Sequence, residues 1–410
     1  MSAEIEAEPF VLGDTSWRRN LWVCLAGSFT TVVAMTLLLP ILPIYVEQLG
    51  VTSKEAIMQW SGIAYGATFF TAALVAPLWG HLADRYGRKL MLIRASLGMS
   101  VAMSLIGLAD NVWHLVALRL LAGLLGGYAS GSMALIATQT PKSKSGWALG
   151  TLSAGATAGS LVGPLIGGIF PPLIGIRDTF FCVGGVIFVS FLATVFLIEE
   201  QKHPPEARKA LRGGFSSLPD KRPVIAMLAT GSLLLIASMS IEPIITLYVS
   251  QLGPPSSNVA LISGLVMSAT ALGSILSASH LGKLADRIGH WNVVIGGLLI
   301  SAVLLIPQAF VTASWQLIVL RFLMGLSLGG LIPCIAAVIR HSTPDHSAGR
   351  MLGYSISAQH AGQVIGPVSG GFIGGHFGIR AVFLGTALSM AGSAALNWWI
   401  ARSSGRRTPP

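Results

Sequence analysis

The sequence predicts an all-α integral membrane protein of twelve transmembrane helices, arranged as two pseudo-symmetric six-helix halves. Three observations carry that expectation. The 410 residues are 53% hydrophobic and 10% charged, with a mean hydropathy of +0.71, whereas soluble chains carry about 25% charged residues. The apolar residues fall into a dozen runs, each near the roughly 20 residues a helix needs to cross a bilayer. A charged phrase also recurs about two hundred residues apart, as Gly80-His81-Leu82-Ala83-Asp84-Arg85-Tyr86-Gly87-Arg88-Lys89 and Gly282-Lys283-Leu284-Ala285-Asp286-Arg287-Ile288-Gly289.

The runs fall at 20–44, 58–80, 90–109, 113–137, 147–170 and 178–198, then at 223–249, 259–281, 292–311, 315–339, 350–374 and 379–401. Between the sixth and seventh, Glu199 to Arg222 is polar, with prolines and six basic residues, and reads as a linker. This divides the chain into a first half at 1–198, a linker at 199–222 and a second half at 223–410. The repeat is dense. Tyr45-Val46 returns as Tyr248-Val249, Arg119 as Arg321, Gly163-Pro164 as Gly366-Pro367, and Gly175-Ile176-Arg177 as Gly378-Ile379-Arg380. An even number of spans per half makes the halves parallel repeats, with substrate expected near the midplane between them.

Charge orients the chain. Lys and Arg gather at one set of span ends, including Arg18, Arg19, Arg85, Arg88, Lys89, Arg94, Lys142, Lys144, Arg340, Arg350 and the linker, while Lys54, Arg177 and Arg380 stand on the opposite side. This asymmetry places both termini in the cytosol. The net charge of +10 is therefore topological, and no nucleic-acid partner is expected. The acidic start (Glu4, Glu6, Glu8, Asp14) lacks a signal peptide's basic region, so the first run is expected to be retained. Cys24, Cys182 and Cys334 sit far apart in apolar spans and are expected to be small buried hydrophobes. No metal-ligand spacing, phosphate loop, nucleophile elbow or paired acids point to catalysis, and no cofactor is expected.

Some residues break the apolar pattern. Glu242 is the acid placed inside a span. Burial in low dielectric disfavours the charged form of a carboxylic acid, which suits such a group to reversible proton transfer. Pro243 follows it and opens the helix locally, whereas the matching place in the first half holds Leu39-Pro40. An inert, hydrated carboxyl near the outer interface is the competing reading. Arg119 and Arg321 lie within spans, where an arginine is costly and faces a cavity or a partner; an interhelical structural hydrogen bond is the alternative for both. Gln139, Gln359, His360 and Gln363 form a thin polar set, with Met35, Tyr65, Phe69 and Phe70 as candidate walls. A mostly apolar lining favours lipophilic substrates over sugars.

With these residues in view, the whole chain resembles the major facilitator superfamily, and within it the twelve-helix drug/proton antiporters of the MdtG type. The repeated phrase resembles the superfamily's loop between helices 2 and 3, which implies a conformational latch at Gly80, Asp84, Arg85, Gly87 and Arg88, with a weaker copy at Asp286 and Arg287 because His290 and Trp291 replace basic residues. Asp84 is expected to pair with Arg88 or with a helix N-terminus of the other half. The run Gly159, Gly163, Pro164, Gly167 and Gly168 resembles the helix-5 signature of antiporters, and Pro40-Ile41-Leu42-Pro43 a further motif of that group. Arg119 matches the position linked to proton transfer. The resemblance implies a monomeric transporter in a bacterial inner membrane, exporting lipophilic or amphipathic drugs in exchange for protons by alternating access. A proton-coupled or facilitated carrier of one specific metabolite is the alternative. A receptor is disfavoured, since no signalling domain is attached.

Overall fold

Helix ends follow glycine and proline. In the computed structural model, which describes residues 14–200, 218 and 220–403, Gly87 and its repeat Gly289 adopt φ of 101° and 90°, and each donates its N–H back to the alanine carbonyl four residues earlier. Side chains rarely tolerate that conformation, so glycine there allows one helix to stop and the next to begin within a residue. The linker cations Lys202, Arg208, Lys209 and Arg212 and the terminal Arg406 and Arg407 lie outside the described residues.

The first helices are α1 (Asp14–Gln48), α2 (Lys54–Tyr86), α3 (Arg88–Ile106), α4 (Val112–Leu125), α5 (Tyr128–Gln139), α6 (Lys142–Ile174) and α7 (Ile176–Leu197). They are followed by α8 (Arg222–Ile241), α9 (Ile245–Gln251), α10 (Val259–Ile288), α11 (His290–Gln308), α12 (Ser314–Leu328), α13 (Leu331–His341), α14 (Asp345–Phe377) and α15 (Ile379–Ser403). Pairing α4 with α5, α8 with α9 and α12 with α13 gives twelve crossings, six on each side of the linker. Among the described residues there is no strand.

Eleven of these crossings are long and apolar enough to span a membrane. The remaining one is α14, a helix of 33 residues diluted by glycine and by polar residues that include Gln359, His360 and Gln363. It is the crossing in which the hydrophobic signal is weakest.

The repeat is visible in the packing. Tyr45 donates to the Ile106 carbonyl at 2.6 Å, and Tyr248 donates to the Gln308 carbonyl at 2.7 Å. The fourth crossing of each set breaks at paired glycines, Gly126-Gly127 and Gly329-Gly330. Gly159, Gly163 and Gly167 of α6 lie against the α1 backbone and its side chains, and Gly362, Gly366 and Gly370 of α14 do the same against α8. A Cβ at Gly167 or Gly370 would overlap the carbonyl of Leu37 or Ser240. Such small-residue stripes replace the hydrophobic drive that lipid removes. α1 runs unbroken through Pro40 and Pro43, and α6 runs unbroken through Pro164.

The two sets meet at the end of the bundle opposite the basic clusters. There a Cβ on Gly62 of α2 would overlap the Pro367 carbonyl of α14, and one on Gly264 of α10 the Pro164 carbonyl of α6. Ser268 donates to the Leu161 carbonyl at 2.7 Å, Thr246 donates to the Pro40 carbonyl at 3.0 Å, and Gln59 reaches His376 at 3.3 Å. Towards the basic end Gly80, Gly146, Gly150, Gly282, Gly349 and Gly353 of the same helices have nothing within 4 Å of a Cβ position among the described residues. The close contacts named here between the two sets thus lie at the far end.

Candidate functional site

The break between α8 and α9 sets the centre. Pro243 has no N–H and cannot continue the α-helical ladder, and Glu242 to Ile244 form a three-residue 3-10 turn. That turn packs on α1, α2 and α14, so Glu242 of the second set stands at the contact with the first. Its Oε2 is buried without a hydrogen-bond partner.

Arg321 of α12 is 2% exposed, places its guanidinium 5.9 Å from the centre of the Phe383 ring and interacts electrostatically with Glu242. Its Nε and Nη2 have no partner. Among the described residues no salt bridge within 4 Å joins the two. The acid and the guanidinium thus both carry unfilled hydrogen-bonding capacity, which is expensive in a buried place. A proton on the acid, or a cationic ligand beside it, relieves that cost.

Arg119 of α4 has a different neighbourhood. It is fully buried, donates from Nε to the Ala64 carbonyl at 3.2 Å and sits 5.7 Å from the centre of the Tyr65 ring. The bond to Ala64 is the interhelical structural contact set out as an alternative, yet Nη1 and Nη2 remain unpartnered. Tyr65, on α2, lies in the electrostatic field of both Arg119 and Glu242. Arg119 and Tyr65 of the first set and Glu242 and Arg321 of the second are thus a group of side chains that act on one another electrostatically across the contact between the sets. Tyr65 stacks edge-on against Phe69 at 5.3 Å. Its place in this group is a feature the sequence pattern does not display.

The polar set divides. His360 bonds Gln363 at 2.9 Å within α14, and Gln359 donates to Ser355 at 3.2 Å. Gln359 also lies beside Gly231 of α8. Gln139 does not join them: it is buried at the basic end of α5 and accepts from Asn20 at 3.0 Å, so it is a helix tie and no wall of a cavity.

At the basic end, Arg88 extends towards α5, donating to the Ala134 carbonyl and, at 2.8 Å, to Thr138. The guanidinium is thereby directed to α5 and not to Asp84. Arg85 stacks over Tyr86 at 5.2 Å, and in the second copy Asp286 meets His290 at 3.9 Å; Arg287 lies exposed in the last turn of α10. Glu200 is the residue that the sequence reading missed. Its carboxylate accepts from the N–H groups of Arg88 and Lys89 at 2.7 and 2.8 Å and so caps α3. Glu199 pairs with Arg19 at 2.6 Å. The start of the expected linker is thus fastened to the first set.

Arg94, placed among the cations at the span ends, lies in the second turn of α3 with its guanidinium 3.6 Å from the centre of the Trp79 ring, donating to the Gly126 carbonyl at 3.0 Å where α4 breaks. One further expectation is corrected. Cys182 is exposed on α7, while Cys24 and Cys334 are buried. Among the described residues no cluster of three or more His, Cys, Asp or Glu is gathered that could hold a metal.

Comparison with known proteins agrees with this architecture. A family model described as Major Facilitator Superfamily matches residues 24–292 and 256–410. The chain is 44% identical to a protein named multidrug resistance protein MdtG from Serratia proteamaculans (strain 568), over 94% of each sequence. It is 45% identical to the protein of that name from Salmonella arizonae, over 93% of this chain and 95% of the relative. Among solved structures, a bacterial homologue of the human lysosomal transporter Spinster, in an inward-facing unoccupied conformation, aligns with a TM-score of 0.77 at 14% identity, covering 97% of this chain and 100% of that one. A D-xylose-proton symporter aligns at 0.74 and 14% identity, over 94% and 98%. At such identities these two speak for the fold.

Proposed function

The chain belongs to the major facilitator superfamily, and from that membership we propose that it exports lipophilic or amphipathic drugs in exchange for protons by alternating access. The observation that carries this reading is the position of Glu242, a buried acid at a helix break, beside Arg321 and at the contact between the two sets. A carboxyl there takes up a proton where it meets one side of the membrane and releases it where it meets the other, and its charge changes the contact that the sets must break in order to rock. Arg119 and Tyr65 extend the same electrostatic group into the first set. Gln359, His360 and Gln363 supply polar points on an otherwise apolar wall.

In this reading the basic end is cytosolic, the protein sits in a bacterial inner membrane as a monomer, and the structure faces the cytosol. The units are 1–198 and 223–410, joined by a linker whose first residues stay docked on the first unit. Gly80, Asp84, Arg85, Gly87 and Arg88, with Asp286 and Arg287, form the latch that closes the cytosolic end in the outward-facing state. Gly159, Gly163, Pro164, Gly167 and Gly168 form the antiporter seal. Gly168 supports that role, since a Cβ there would press on Ala260 and Leu261 of the other set. A second reading, a carrier of one metabolite, draws on the polar character of α14.

The test is purified protein in liposomes with ethidium and an imposed pH gradient. Gradient-driven dye movement that stops with a protonophore supports the export reading. Movement that ignores the gradient, or that appears with no dye but with a single polar metabolite, overturns it.

A further inference from the structure

The two sets repeat an arginine at the far end of the bundle, at Arg177 and Arg380, but they treat it differently. Arg177 pairs with Asp110 at 3.8 Å. In the second set the place of Asp110 is taken by Thr312, 202 residues on. Arg380 has no carboxylate within 4 Å among the described residues, and its guanidinium lies 5.5 Å from the centre of the Phe310 ring. Where the acid is missing the surface is hollow. A cavity of about 680 Å³ is lined by Tyr248, Leu252, Val311, Thr312, Phe377 and Arg380, among others. Its wall is mostly apolar, with one full positive charge at the rim. Phe377 is 74% exposed, and Phe310 and Trp315 are exposed beside it, as expected of rings that sit at a membrane interface.

We propose that this cavity is a binding site for a phospholipid with an anionic headgroup, the phosphate held by Arg380 and the first part of an acyl chain lying along Tyr248, Leu252 and Phe377. A guanidinium matches phosphate oxygens in charge and geometry, and in the first set the Asp110 carboxylate, 3.8 Å away, competes for that role. An amphiphile fits both features of the cavity, whereas a free anion uses the rim and leaves the apolar wall wet. The site lies at the far end, away from the Glu242 group, and does not depend on the transport reading.

The experiment uses the intact protein in phosphatidylcholine nanodiscs containing a minor fraction of phosphatidylglycerol, with retained lipid read by native mass spectrometry. Wild type retains phosphatidylglycerol. Arg380→Gln lowers its apparent affinity about tenfold, in line with losing one charge-assisted contact. Thr312→Asp, which copies the ion pair of the first set and keeps the arginine, has the same effect, and Arg177→Gln has none. Equal retention in wild type, Arg380→Gln and Thr312→Asp overturns the site. Equal retention of phosphatidylcholine, or full displacement of the lipid by millimolar inorganic phosphate, overturns the lipid as its occupant.

Discussion

Arg119 and Arg321 hold equivalent places in the two sets of helices, yet Arg119 is fastened to the Ala64 backbone and Arg321 faces Glu242. The difference traces to one position: Leu39 in α1 against Glu242 after α8. Both are followed by proline, but α1 continues through Pro40 while α8 stops and gives way to a 3-10 turn. A symmetric scaffold thus carries an asymmetric charge, and the proton site proposed for it lies where the repeat fails. The same holds at the far end, where Asp110 and Thr312 give Arg177 and Arg380 different surroundings. It holds again at the breaks of the fourth crossings: Arg94 satisfies the Gly126 carbonyl in the first set, whereas in the second Gly297 and Gly330 are packed by Leu331 and Leu281.

The contrast can be broken outright by removing the acid. Glu242→Gln is expected to reduce gradient-driven ethidium transport in liposomes to that of protein-free vesicles. Adding Leu39→Glu to that variant is expected to restore nothing, because Arg119 is held by Ala64 and the unbroken α1 gives the new carboxyl no opening. A next, smaller effect lies in coupling. Thermal unfolding of Glu242→Gln, Arg321→Gln and the double variant should show an interaction of about 1–3 kcal/mol. The same cycle with Arg119→Gln in place of Arg321→Gln should show less than about 0.5 kcal/mol.

Steric changes at the contact between the sets test the scaffold they share. Gly62→Ala and Gly264→Ala each put a methyl group against a carbonyl of the other set. Each is expected to prop the far end open, seen as several-fold faster labelling of a cysteine placed at Gln59. Equal labelling in both variants and in the parent would mean that the contact is not a gate. The smallest effect is local: Glu200→Gln weakens two hydrogen bonds to the N-terminus of α3 and should cost about 1 kcal/mol in thermal stability, with no counterpart in the second set among the described residues.

The crossings and the repeat were legible in the sequence because a membrane demands apolar length and paired proline and glycine signals survive duplication. The break at Pro243 was legible because proline lacks the N–H that continues the helical ladder, although the same signal at Pro40 leaves α1 unbroken. Tertiary choices were not. Arg94 looks like any flanking cation until Trp79 and the Gly126 carbonyl are brought beside it, and Gln139 looks like cavity lining until Asn20 claims it. Glu200 stands in a polar stretch that gives no sign of capping α3. In each case a partner lies between 32 and 119 residues away along the chain, where periodicity carries no information.

The most direct measurement is proton release on ligand binding. Purified protein in weakly buffered detergent would receive ethidium while pH and dye fluorescence are followed together. The account predicts that wild type releases protons in proportion to dye bound, and that Glu242→Gln binds dye with no release. Undiminished release from Glu242→Gln would contradict it and move the proton site to the first set.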